Sequence, residues 1–190
     1  MNHINNNTHF MNIGALTLRT TRLLMMMVGI GLFVLTGCTT QQGNVNNSPT
    51  ASAWKNGVRG QWYLTSIDKE NFPAEYVVKS LFDEAPPECF VESVWNLPLN
   101  GKGNITFTSE GRLCAPGAVR NIQWSIYNPG RGAGEPQFQF KKIYPGDNPR
   151  NVVTGYRLDL AYADDEQLRM VMHVPLDGRT GRLIFNFIKY

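Results

Sequence analysis

Histidine and cysteine are scarce, with three of each in 190 residues. His3 and His9 lie near the start, so His173 is the one histidine beyond residue 37. The chain has no His-x-x-x-His pair, no Cys-x-x-Cys, no Gly-x-Ser-x-Gly elbow and no phosphate loop. A cysteine nucleophile would need His173 as its base and a third group to orient it. Neither Cys89 nor Cys114 sits in such an arrangement. Asp164-Asp165-Glu166 lacks the ligand spacing of a calcium loop and reads as an acidic turn. The expectation is a protein that is not an enzyme and uses no metal or cofactor.

Charge is sparse as well. Asp, Glu, Lys and Arg make up 17% of the chain, with 18 basic residues against 15 acidic ones. Two of the basic residues, Arg19 and Arg22, precede residue 38, and the rest are scattered. A nucleic-acid surface needs Lys and Arg clustered on one face, so no nucleic-acid partner is expected.

Long apolar runs are missing too. Leu23–Leu35 is 13 residues long, whereas a membrane span needs about 20. The length suits the apolar core of a secretion signal. Basic residues precede it, and Leu35-Thr36-Gly37-Cys38 closes it. This is the layout of a bacterial lipoprotein signal. The chemistry it implies is a diacylglycerol thioether on Cys38, cleavage between Gly37 and Cys38, and acylation of the new amino group. Residues 1–37 then form the signal, whose start is Met1 or Met11, and residues 38–53 an acylated, flexible Asn/Gln/Ser/Thr linker. A folded domain spans residues 54–190. Membrane attachment through Cys38 is expected. Thr39, rather than an aspartate, follows the cysteine, which favours the outer membrane. In such an oxidising compartment the remaining even pair, Cys89 and Cys114, reads as a disulfide.

What the folded part does contain is alternation. Gly60–Ile67, Ser93–Leu97, Asn104–Thr108, Arg120–Tyr127, Gln137–Tyr144, Gly155–Ala163, Gln167–Val174 and Arg182–Tyr190 read as about eight strands. Asn100-Gly101 between two apolar runs is a hairpin signal. Short turns force antiparallel neighbours. The expected fold is therefore all-β, an antiparallel up-and-down barrel that leaves no exposed edge. A two-sheet sandwich, which needs longer crossovers, is the rival. Pro73, Tyr76, Val77, Leu81 and Phe82 predict one short helix after the first strand, within Phe72–Phe82 and ended by Pro86-Pro87.

Gly60-x-Trp62 resembles the Gly-x-Trp motif that opens lipocalins. The series Glu88-Cys89-Phe90, Ser93-x-Trp95, Asn100-Gly101-x-Gly103, Ile105-x-Phe107, Cys114, Trp124-Ser125-Ile126, Phe138-x-Phe140 and Gly155-Tyr156-Arg157-Leu158 extends the likeness over about residues 57–190. Together these resemble the lipocalin-like lipoproteins of Bacteroidetes-type Gram-negative bacteria. The resemblance implies a barrel behind a lipid anchor. It also implies that Trp62 closes one barrel end beneath a late basic residue, Arg182 or Lys189. The chain departs from secreted lipocalins in the insertion Phe72–Pro87 and in lacking evident second and third lipocalin motifs.

Two functions fit this frame. The first is binding of a small hydrophobic or amphipathic molecule by Trp124, Phe138, Phe140, Tyr156, Leu158, Met170, Met172 and Phe185, the apolar faces of the strands. The second is an envelope interaction module with a filled barrel. It would use the aromatics Trp54, Tyr127 and Tyr144 and the glycine-rich loop Gly130–Pro136. Arg157 and Asp159 are expected to pair with Arg169 across a hairpin.

Overall fold

The computed structural model describes residues 49–190; the signal, Gly37 and Cys38 lie outside the described residues. Eight strands follow one another: β1 (Gly60–Glu70), β2 (Val94–Leu97), β3 (Lys102–Thr106), β4 (Val119–Tyr127), β5 (Gln137–Ile143), β6 (Tyr156–Ala163), β7 (Gln167–Leu176) and β8 (Arg179–Lys189). Each pairs antiparallel with the next, and β8 returns to pair with β1, so the sheet closes on itself. The up-and-down order excludes the sandwich. Period-two alternation drives this arrangement. Trp62 and Leu64, Trp95 and Leu97, Ile122 and Trp124, Phe138 and Phe140, Leu158 and Leu160, Leu168 and Met170, and Leu183, Phe185 and Phe187 all bury.

A helix that the sequence reading missed, α1 (Ala51–Val58), precedes β1. The oxygen of Thr50 accepts from Ala53 N at 3.1 Å and caps it. The expected boundary between linker and domain at residues 53/54 therefore falls inside a helix. Trp54, expected as an exposed loop aromatic, is half-buried and packs against the core. Val58 is fully buried, and its carbonyl accepts from Trp62 Nε1 at 2.7 Å. Lys189, not Arg182, covers Trp62, with its ammonium 4.1 Å from the ring centroid. The same ammonium donates to the Arg59 carbonyl at 3.1 Å. Gly60 is required beneath it, because a Cβ there would lie 2.5 Å from Lys189 Nζ and φ is +125°. Arg182 pairs instead with Glu70 at 3.0 Å.

The helix expected within Phe72–Phe82 does not form. That stretch makes one hydrogen-bonded turn, Tyr76 N to Pro73 O at 3.0 Å, and then runs without regular structure. Val77 stays 71% exposed while Leu81 and Phe82 bury. Burial is divided between Phe72, Val78 and the Leu81–Phe82 pair, with Tyr76 and Val77 exposed between them, and the segment presents no continuous apolar face to stabilise a helix. Phe82 and Asp83 have φ of 51° and 49°, which no α-helix accommodates. The helix that does follow β1 is α2 (Pro87–Phe90). Proline, expected to stop a helix here, instead occupies its first turn, where a missing N–H costs nothing. Residues 71–86 form a strap across the barrel end opposite α1. Phe72 lies on Gly181, where a Cβ would meet the ring at 2.8 Å.

Cys89 and Cys114 form a disulfide that ties α2 to the loop between β3 and β4. The bridge closes a separation of 25 residues, and in the chain-entropy model contributes about 3 kcal/mol. Replacing both cysteines by alanine is expected to lower the free energy of unfolding by that amount. Urea titration against the oxidised protein measures it; an unchanged midpoint would show that the bridge constrains nothing.

Candidate functional site

The candidate site is the barrel end beneath the strap. It begins with Phe82, which the turn Leu81–Ala85 drives into the interior. Leu81 N donates to Ala85 O at 2.8 Å and Glu84 N to Leu81 O at 2.9 Å, closing the turn. The Phe82 ring meets Phe90, Trp95, Phe140 and Tyr156 at centroid distances of 5.4, 6.3, 5.0 and 5.3 Å, all near-perpendicular. Phe185 adds a tilted contact at 5.8 Å. Edge-to-face packing of this kind recognises an aromatic ring as such, because each edge is positive and each face negative.

Charge fixes the turn from the other side. Strand alternation places Arg120 on the face of β4 that carries Ile122 and Trp124, and Lys142 on the face of β5 that carries Phe138 and Phe140. Two cations therefore point inward at the barrel rim. Glu84 answers both, at 2.6 Å to Arg120 Nε and 3.0 Å to Lys142 Nζ. Glu84 and Lys142 keep only 13% and 12% of their side-chain surface exposed, and Arg120 keeps 33%. Lys142 also donates to the Asp83 carbonyl at 3.0 Å, and the Tyr156 hydroxyl donates to Asp83 Oδ2 at 3.1 Å. Burial opposes the charge of Lys142, but hydrogen bonds to Glu84 and Tyr144 and the Glu84 charge outweigh it and hold its pKa above 10.5. Burial, then the bond to Asp83, pushes the Tyr156 phenol above 10.0.

The eight predicted lining residues share the barrel interior, but in different settings. Phe140, Tyr156 and Phe185 contact Phe82. Phe138 joins them through Phe140 at 5.7 Å and stacks on Trp124 at 5.6 Å deeper in the barrel. Leu158 and Met170 are fully buried core. Met172 is half-buried and faces a groove of about 600 Å³ between the strap and β7. A smaller cleft of about 310 Å³, lined by Asp83, Lys142, Tyr144, Asp147, Val152, Thr154 and Tyr156, opens beside the charged contacts. The sequence reading missed Phe82, Glu84, Arg120 and Lys142 as a unit. The parity of Arg120 and Lys142 with buried aromatics was the signal that could have found them.

Other expected features sit elsewhere. Asp159 does not pair with Arg169. It bonds His173 Nε2 at 2.9 Å and Gln137 at 3.2 Å on the outer wall. Asp159 lies opposite Val171, and a bulge between Leu160 and Tyr162 sets Tyr162 opposite Arg169, which donates to Asn186 Oδ1 instead. Tyr127 and Tyr144 are exposed, as an interface role requires. The Asp164 carboxylate is occupied by Tyr162 OH and by the backbone N–H groups of Glu166 and Gln167, which lower its pKa. Among the described residues no group of three or more His, Cys, Asp or Glu is placed to hold a metal ion. No protein-family model matches the chain, and no curated protein matches it.

Phe82→Ala is expected to cost about 3–5 kcal/mol by leaving a cavity among five rings, read as a lowered urea midpoint; a change below 1 kcal/mol would mean the ring is not packed as described. Alkali tests the polar half. Lys142 and Tyr156 both hold their protons more tightly folded than unfolded, so the stability they supply is complete below about pH 10 and is lost as pH rises through their folded values. Unfolding followed from pH 8 to 11 is expected to show destabilisation above pH 10 that Glu84→Gln reduces. A pH profile unaltered by Glu84→Gln would contradict the role of this contact.

Proposed function

We propose that the chain is a lipid-anchored lipoprotein of the cell envelope whose lipocalin-like barrel binds a small hydrophobic or amphipathic molecule at the strap end. Anchoring rests on Leu35-Thr36-Gly37-Cys38 and the basic, apolar stretch before it. The observation that carries the binding reading is the composition of that end. An apolar aromatic cage stands beside two inward-facing cations, the mixture by which pockets hold an amphipathic molecule and fix its orientation. Two open clefts flank the strap, and one of them reaches Lys142 and Tyr156.

A second reading has its own support. The predicted lining residues already pack on one another, with Leu158, Met170, Phe138 and Phe185 at 1% exposure or less. A barrel so filled acts through its outer surface as an envelope interaction module, and exposed Tyr127 and Tyr144 suit that role.

Native mass spectrometry of the purified protein, before and after incubation with an envelope lipid extract, separates the two. A discrete stoichiometric adduct is expected. Protein that stays bare while folded, with the Cys89–Cys114 bridge intact, would remove the small-molecule reading and leave the surface one.

A further inference from the structure

The strap is built at a cost that its packing alone does not require. Among the described residues, the four non-glycine residues with left-handed backbone are Asn71, Phe82, Asp83 and Glu92, with φ of 60°, 51°, 49° and 70°. Two lie in the inserted turn and two bracket the segment that carries it. Such conformations cost on the order of 1 kcal/mol each and persist where the surroundings hold them. Between Tyr76 and Leu81 the strap has no regular structure, and Tyr76, Val77, Lys79 and Ser80 are exposed. A strained turn thus follows an irregular, largely exposed stretch held to the core by Phe72 and Val78, while its tip is gripped by rings and charges.

What grips the tip has the form of a recognition site. Phe82 offers a ring to four perpendicular aromatic neighbours, and Glu84, two residues later, offers a carboxylate to Arg120 and Lys142. The receptors for both groups belong chiefly to the barrel wall: Trp95 on β2, Arg120 on β4, Phe140 and Lys142 on β5, Tyr156 on β6, with Phe90 on α2. The two cations are fixed by strand parity, and Glu84 is the carboxylate that bridges them. Arg120 and Lys142 together present two donors to one carboxylate, and an anion placed there in place of Glu84 restores the charge-assisted bonds that lifting the turn removes.

We propose that the Leu81–Ala85 turn is an internal stand-in for the ligand, and that the site takes a small aryl-alkanoic acid which displaces it. The ligand's ring occupies the place of the Phe82 ring, and its carboxylate bridges Arg120 and Lys142 in place of Glu84. This rests on the binding reading above and names its ligand class. The turn competes as a tethered group at high effective concentration, so the intact protein binds such an acid weakly. Anything that loosens Glu84 tightens binding. The clefts beside Asp83 and beneath Tyr76–Leu81 are where the turn withdraws and the acid enters.

Equilibrium dialysis of the full chain in phosphatidylcholine nanodiscs, with empty nanodiscs as background, tests this with 3-phenylpropionate and its neutral counterpart 3-phenylpropanamide. The acid is expected to bind at least tenfold more tightly than the amide. Glu84→Gln is expected to raise affinity for the acid several-fold, and adding Lys142→Met to that variant to abolish the preference for acid over amide. Trypsin cleavage after the exposed Lys79 should accelerate when the acid is bound, because the strap has lifted. Equal binding of acid and amide overturns the proposal, as does acid binding that leaves both the Lys79 cleavage rate and the Glu84→Gln response unchanged. If Glu84→Gln fails to fold, the acid-against-amide comparison and the cleavage rate on the unaltered chain decide alone. Binding of neither probe overturns the ligand class named here. The broader binding reading falls only if the envelope extract also yields no adduct.

Discussion

The Phe82 ring inside the barrel is the contact on which this architecture turns. An eight-stranded barrel leaves an interior that side chains or one small ligand can fill. Here the wall supplies large residues throughout, Trp124 and Phe138 deep inside and Trp95, Phe140, Tyr156 and Phe185 around the Phe82 ring. The remaining space is taken by a residue that does not belong to the wall at all. Removing that ring would leave five aromatic partners facing a void, and its insertion sets the turn that carries Glu84 between Arg120 and Lys142.

The two ends of the barrel are closed by different physics. At the α1 end, closure is local and rigid. Trp62 bonds the carbonyl of Val58, four residues earlier, and Lys189 lies over its ring. At the strap end, closure comes from a long excursion between β1 and β2, with strained backbone and an ion-paired tip. One end is thus held by contacts between residues near in sequence, the other by contacts that only the closed barrel brings together.

Alternation made the strands readable. Gly155–Ala163 and Gln137–Tyr144 lie within one residue of β6 and β5 because each has one wet and one dry face, a pattern that only a half-buried strand produces. The Cys89–Cys114 pair was readable from parity and compartment. The strap was not, because its apolar residues lie three to five apart and imitate a helix, while positive φ at Phe82 and Asp83 leaves no mark on residue type. α1 was missed because Ala51, Ser52 and Ala53 continue the small and polar composition of the stretch before them. The rim cations were legible in principle. Arg120 and Lys142 share parity with buried aromatics, and an inward lysine calls for a partner, but Glu84 lies 36 and 58 residues away in sequence and only the fold brings it there.

Pairing of β1 with β8 has a consequence for how the chain matures. One edge of β1 is met early by β2, but the other finds its partner only in residues 182–189 and stays open until that segment is available. The ring cannot close on a partial chain, and the Phe82 site, which draws on β2, β5, β6 and β8, is assembled after closure rather than before it. A polypeptide of this topology therefore keeps an unpaired strand edge for as long as its last strand is withheld.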